Sequence, residues 1–79
     1  MNIFSLKKTL DKIVNKNEKG FWILEDCIPK HFENMLMQIG AKDIESEIIE
    51  DAGYKFYFAY KGINFTATIC SWDGLLNIE

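Results

Sequence analysis

Leu6, Leu10, Ile13 and Val14 fall at i, i+4, i+7 and i+8, while Lys7, Lys8, Asp11, Lys12, Asn15 and Lys16 occupy the positions between them. That spacing predicts an amphipathic helix over about residues 5–17, with Ser5 as its N-cap and Gly20 as its stop. Phe32, Leu36 and Ile39, with Met35 alongside, form a second stripe. Pro29 suits the first turn of that helix and Gly40 its end, so the second helix runs over about 29–39. Between the helices, Phe21 to Leu24 is an unbroken apolar run. It is too short for its period to be read, and its aromatic and β-branched content predicts a short buried strand.

The period changes from residue 43 onward. Tyr54, Phe56, Phe58 and Tyr60 alternate with Lys55, Tyr57 and Ala59; Ile63, Phe65, Ala67 and Ile69 alternate with Asn64, Thr66 and Thr68. A two-residue turn at Lys61-Gly62 sets Phe58 opposite Phe65, Phe56 opposite Ala67 and Tyr54 opposite Ile69. A three-residue loop would put Phe58 against Asn64 and misalign the face. Asp73-Gly74 is a further turn signal, pairing Trp72 with Leu75, Ser71 with Leu76 and Ile69 with Ile78. Asp51-Ala52-Gly53 suits a three-residue loop with glycine in the left-handed position, setting Ile48 opposite Phe56 and Ile44 opposite Tyr60. Four strands follow, at about 43–50, 54–60, 63–72 and 75–79.

The reading is a single α+β domain over residues 1–79, ordered α-β-α-β-β-β-β. Its antiparallel meander spans about 43–79, and two helices pack on one face. The covered face collects Ile44, Ile48, Phe56, Phe58, Ile63, Phe65, Ala67, Ile69, Leu76 and Ile78. The other face collects Glu45, Glu47, Ile49, Lys55, Tyr57, Ala59, Asn64, Thr66, Thr68, Cys70, Trp72, Leu75 and Asn77. Two helices cannot cover both faces, so this second one is expected to meet solvent.

Composition narrows the functional classes. With 79 residues, 48% hydrophobic and 27% charged, the chain is that of one small globular domain rather than a disordered segment. A core this small leaves little room for an enclosed cofactor site, and no cofactor is expected. The first residues lack the apolar run and cleavage pattern of a signal peptide, and no stretch approaches a membrane span, so a cytoplasmic protein without a membrane role is expected. Residues 1–20 carry five lysines against Asp11 and Glu18, whereas residues 21–53 carry eight acids against Lys30 and Lys42. The absence of arginine removes the usual bidentate reader of phosphate and guanine, so direct nucleic-acid binding is not expected.

Candidate chemistry is sparse. Cys27 and His31 are four residues apart, and with Cys70 and Asp26 or Glu33 they could in principle form a zinc site. No second ligand pair of recognisable spacing supports it. A Cys27–His31 nucleophilic dyad lacks an orienting third group. Glu25, Asp26 and Glu33 suit a helix N-terminus without any acid–base role. The lysine face of the first helix reads as solvated, and none of the isolated glycines belongs to a phosphate-binding loop. No catalytic or metal residue is therefore assigned, and the chain is not expected to be an enzyme.

What remains is the outward sheet face. Tyr57, Trp72 and Leu75 lie there as aromatic and aliphatic anchors, with Glu45 and Glu47 beside them to steer a basic partner. The expectation is a non-enzymatic protein-binding module. Its most concrete form is a small intracellular inhibitor, such as an immunity protein, an antitoxin or a phage-encoded anti-defence protein of the anti-CRISPR kind. It would occlude a basic surface of a partner enzyme such as a nuclease. The alternatives are a homodimeric or higher homo-oligomeric accessory subunit, joined through that face or the edge strand 75–79, and a thiol- or metal-dependent regulator using Cys27, His31 and Cys70.

Overall fold

The computed structural model describes residues 1–16, 20–49, 53–70 and 73–78. The elements run α1 (Ile3–Lys16), β1 (Phe21–Leu24), α2 (Pro29–Gln38), β2 (Lys42–Ile49), β3 (Gly53–Tyr60), β4 (Ile63–Cys70) and β5 (Asp73–Ile78). This is the α-β-α-β-β-β-β order that the periodicities imply. The five strands form one antiparallel sheet in the order β1-β5-β4-β3-β2. The meander is β2 to β5, and the chain's first strand returns to extend it beyond β5.

Helix α1 starts two residues earlier than its apolar stripe suggests. Asn2, not Ser5, is the cap: its Oδ1 accepts the Ser5 backbone N–H at 2.8 Å. Asparagine caps a helix as well as serine does, and here it brings Ile3 and Phe4 into the first turn. Helix α2 begins with Pro29, which gives up only an N–H that the first turn would leave unpaired. It ends at Gly40, whose φ of 85° sits in the left-handed region. The Ala41 N–H bonds Leu36 O at 3.0 Å and the Gly40 N–H bonds Met37 O at 3.3 Å, which closes the helix end.

The β3–β4 hairpin has the register the alternation requires: Phe58 opposite Phe65, Phe56 opposite Ala67 and Tyr54 opposite Ile69. Lys61 and Gly62 adopt φ of 49° and 82°, the paired left-handed geometry of a two-residue hairpin turn.

Other expectations are corrected. Asp73-Gly74 is not a turn but the start of β5, with Asp73 opposite Cys70 and Gly74 opposite Ile69. Ile78 accordingly faces Phe65 rather than Ile69, a slip of four residues. Glycine is needed at 74 for packing: an added Cβ would sit 3.2 Å from Leu24 Cβ and 3.3 Å from Ile69 Cγ1. Residues 71–72 join the two strands and lie outside the described residues. In the first hairpin Ile48 faces Tyr54, and Ser46 rather than Ile48 faces Phe56. Gly53 is not left-handed; it is paired in β3, where a side chain would run into the Ile69 carbonyl. The Asp51-Ala52 part of the expected loop lies outside the described residues.

A bulge interrupts β2. Lys42 pairs with Ala59 but Glu45 pairs with Tyr57, so Asp43 and Ile44 together oppose Phe58. Asp43 takes a φ of 55°, the left-handed conformation that an aspartate tolerates better than most residues. The two-residue slip of this hairpin, not the bulge, sets Ile44 against Phe58 instead of the expected Tyr60. Strand β1 is not a buried strand: only Leu24 is inside, Trp22 packs partly on the core, and Phe21 and Ile23 face solvent. Strand β5 is internal between β1 and β4 and is not the free edge expected of 75–79; among the described residues the edges are β1 and β2.

One core joins helices and sheet. Leu6, Leu10 and Ile13 of α1 and Phe32, Met35 and Leu36 of α2 pack on Phe56, Phe58, Phe65, Ala67, Ile69 and Leu76. Phe32 is the aromatic hub, with ring centroids 5.2 Å from Phe56 and 6.2 Å from Phe58. Ile44, Ile63 and Ile78 pack at its margin, but Ile48 is 79% exposed. It lies one row beyond the Ser46–Phe56 pair, where the first turn of α2 borders the sheet. Tyr60 and Asp11 then tie α1 to the β3–β4 turn: the Tyr60 hydroxyl donates to Asp11 Oδ1 at 2.6 Å. Lys61 Nζ and Lys7 Nζ reach the same carboxylate at 2.8 and 3.0 Å.

Candidate functional site: the outward face of the sheet

Side chains of a strand alternate between faces, and opposed residues on antiparallel strands share one. The registers therefore lay the outward face out in rows. One row runs Glu45, Tyr57, Thr66, Asn77, Phe21; the next runs Glu47, Lys55, Thr68, Leu75, Ile23. Both helices pack their buried residues on the other side. Of the outward positions among the described residues only Thr66 is buried, on the central strand between Tyr57 and Asn77.

The expected site residues Tyr57, Leu75, Glu45 and Glu47 all lie on this face, but in two groups. Tyr57, Glu45 and Glu47 share the β2–β3 half. Leu75 belongs to the β1–β5 half, two strands from Tyr57. Trp72, the other expected anchor, lies outside the described residues.

On the β2–β3 half, the Tyr57 hydroxyl donates to Glu47 Oε1 at 2.7 Å. That bond to a carboxylate, with some desolvation, holds the phenol above its ordinary pKa, because losing the proton would leave two negative groups together. Lys55 sits directly opposite Glu47, its ammonium 5.4 Å from the Tyr57 ring centroid. The acid rim is thus interleaved with a lysine. Where the β2 bulge pulls the strand aside, a shallow depression opens, lined by Asp43, Glu45, Tyr57, Phe58 and Asn64. Two carboxylates and a phenol around such a hollow suit the head of a lysine or arginine.

On the β1–β5 half the chemistry is apolar. Ile23 lies directly opposite Leu75, with Phe21 in the adjacent row. Phe21, Ile23 and Leu75 are 72%, 74% and 41% exposed. Neither Phe21 nor Ile23 stands out in the sequence, because a four-residue apolar run does not disclose which of its residues face out. Adjacent exposed apolar residues on a rigid strand mark an interaction surface more often than scattered ones do.

The remaining candidates are placed apart from this face or from one another. Cys27 is buried in the core, its Sγ 3.6 Å from Met1 Sδ, and burial pushes its thiol above the ordinary value. His31 is exposed on α2, and Cys70 is half-buried in the outward-facing row with Gly53 and Asp73. Both cysteines are free thiols. Among the described residues, no three His, Cys, Asp or Glu side chains gather as a metal ion would need. Glu25, Asp26 and Glu33 are all exposed. The lysine face of α1 borders a shallow groove with the exposed Phe4. No helix among the described residues is long and apolar enough to cross a membrane. Comparison of the chain with protein-family models, curated proteins and solved structures gave no match.

Proposed function

We propose that the chain is a non-enzymatic protein-binding module that uses its outward sheet face to cover a basic surface of a partner enzyme. The observation that supports this most is the layout of that face. An acidic, aromatic half (Glu45, Glu47, Tyr57) and an apolar half (Leu75, Ile23, Phe21) lie side by side on one sheet that carries its helices on the other side. Apolar and aromatic contacts give such an interface its affinity, and carboxylates give it orientation and association rate. Tyr57 is held by Glu47 before a partner arrives, so less side-chain freedom is lost on binding. The most concrete form of this reading is a small intracellular inhibitor: an immunity protein, an antitoxin or a phage-encoded anti-defence protein.

The test is capture followed by inhibition. Full-length protein is used to isolate its partner from the native host, and the activity of the isolated enzyme is assayed with added wild type or a Glu45→Lys/Glu47→Lys variant. Inhibition by wild type, weakened at higher salt and lost in the variant, supports the proposal. A partner whose activity is unchanged by stoichiometric wild type contradicts it.

A further inference from the structure

The two free edges of the sheet are built differently. The β2 edge carries Lys42, Asp43, Glu45 and Glu47, and it is bent by a bulge whose Asp43 is left-handed. Charge and bulging are what keep an edge from accepting another strand. The β1 edge has neither. Phe21-Trp22-Ile23-Leu24 is uncharged, lacks proline, and pairs with β5 in unbroken register over all four residues. Among the described residues no strand lies against its outer side, which presents backbone N–H and C=O groups.

We propose that β1 pairs antiparallel with β1 of a second copy of this chain, joining two five-stranded sheets into one of ten strands. The segment is complementary to itself. With the two-fold axis through Trp22, opposed residue numbers sum to a constant, so Phe21 of each copy meets Ile23 of the other. Leu24 then meets Gly20 at each end of the pairing. Phe21 and Ile23 both point to the outward face of β1, so the aromatic–aliphatic pairs fall on one face, as stabilising cross-strand pairs require. Moving the axis to Ile23 puts Phe21 against Glu25 and loses the Phe21–Ile23 pairs. Moving it by half a residue sets outward Phe21 beside inward Leu24 and mismatches the faces.

The pairing would bring Phe21 and Ile23 of both copies, with Leu75 beside them, into one apolar seam at the centre of the joined outward face. Four residues a side is a small interface, below the ~1,200 Å² of standard stable ones, so the dimer is expected to be a reversible, micromolar one. The acidic halves with Tyr57 then lie at the far ends of the joined sheet, clear of the seam.

Sedimentation of the full chain from low micromolar to millimolar concentration tests this. The mass is expected to rise from that of the 9.2 kDa monomer toward twice that value. A Phe21→Lys/Ile23→Lys variant, altered at two exposed positions, is expected to stay monomeric with an unchanged circular dichroism spectrum. Phe21→Lys and Ile23→Glu each weaken association several-fold, and mixing the two variants restores it in part, because only the mixed dimer sets the introduced lysine against the introduced glutamate in one pair and keeps Phe21 against Ile23 in the other. The mixture also decides the matter should the double lysine variant not fold. A monomer at every concentration overturns the proposal, as does self-association unaffected by Phe21→Lys/Ile23→Lys, or a mixture no tighter than its components.

Discussion

The Tyr57 hydroxyl lies 2.7 Å from Glu47 Oε1, a diagonal bond between β3 and β2. Glu45, not Glu47, is the residue directly opposite Tyr57, so the ring is drawn along the strand toward Glu47 and flanks the depression at the β2 bulge. The bond gives the phenol a signature of its own. Its pKa is raised by Glu47, first through the hydrogen bond and less through the charge itself. In a Glu47→Gln variant the carboxylate is gone, and the Tyr57 pKa is expected to fall toward the ordinary value of about 10. Carbon-detected NMR titration of the tyrosine ring reads this directly; an unshifted Tyr57 in the variant would show that the bond does not form in solution.

Asp11 gives the fold a defined acid sensitivity. Hydrogen bonds from Lys61, Tyr60 and Lys7 hold its carboxyl well below the usual carboxylate range. A depressed folded-state pKa contributes stability that is complete above the unfolded value and is lost as pH falls through and below about 4. Asp11→Asn should therefore lower the melting temperature at neutral pH by about 5 °C, the effect of a loss of order 1 kcal/mol in a domain this small. The difference from wild type should shrink as pH is lowered toward 2 in thermal melts. A gap of constant size across that range would contradict the assignment.

Two glycines in the sheet should respond unequally to substitution. A Cβ at Gly53 meets the Ile69 backbone carbonyl, which is fixed by the β3–β4 ladder. A Cβ at Gly74 meets side-chain atoms of Leu24 and Ile69 at 3.2 and 3.3 Å, which can give way by small shifts. Gly53→Ala is thus expected to cost more stability than Gly74→Ala in denaturant unfolding, while Gly20→Ala, which meets nothing within 4 Å, should be close to neutral. Equal losses at 53 and 74 would count against the described packing.

Phe32 should be indispensable. It is completely buried and bridges α2 to both Phe56 and Phe58. Truncation to alanine removes about 3–5 kcal/mol, most of what a domain of this size has to lose. Phe32→Ala is expected to abolish cooperative thermal unfolding, whereas Met37→Ala, exposed on the same helix, should leave it intact.

The faces of the sheet were legible in the sequence, and two of the registers were not, for one reason. Alternation reports parity, and the errors at β2–β3 and β4–β5 were slips of two and four residues that leave parity unchanged. Leu76 and Ile78 face the core and Leu75 and Asn77 face out in either register. Only packing distinguishes them: Gly74 has to lie where Leu24 and Ile69 crowd it, so Asp73-Gly74 cannot be the turn that its composition suggests. Lys61-Gly62 was legible because a one-residue change there would have exposed a whole apolar face. The roles of Phe21 and Ile23 were hidden because an unbroken apolar run carries no period. Glu45, Glu47, Tyr57 and Leu75 were placed on the right face, but their division between an acidic half and an apolar half depends on strand order, which alternation does not encode.

Site-specific photo-crosslinking tests the central claim most directly. Benzoylphenylalanine is introduced singly at Tyr57, Leu75, Lys8 or Lys12 in the full chain, and each variant is irradiated in the native host. The account predicts that positions 57 and 75, on the outward face, capture the same partner, while positions 8 and 12, on the solvent side of α1, do not. Capture through positions 8 and 12 with none through 57 or 75 would place the working surface on the helices and contradict it.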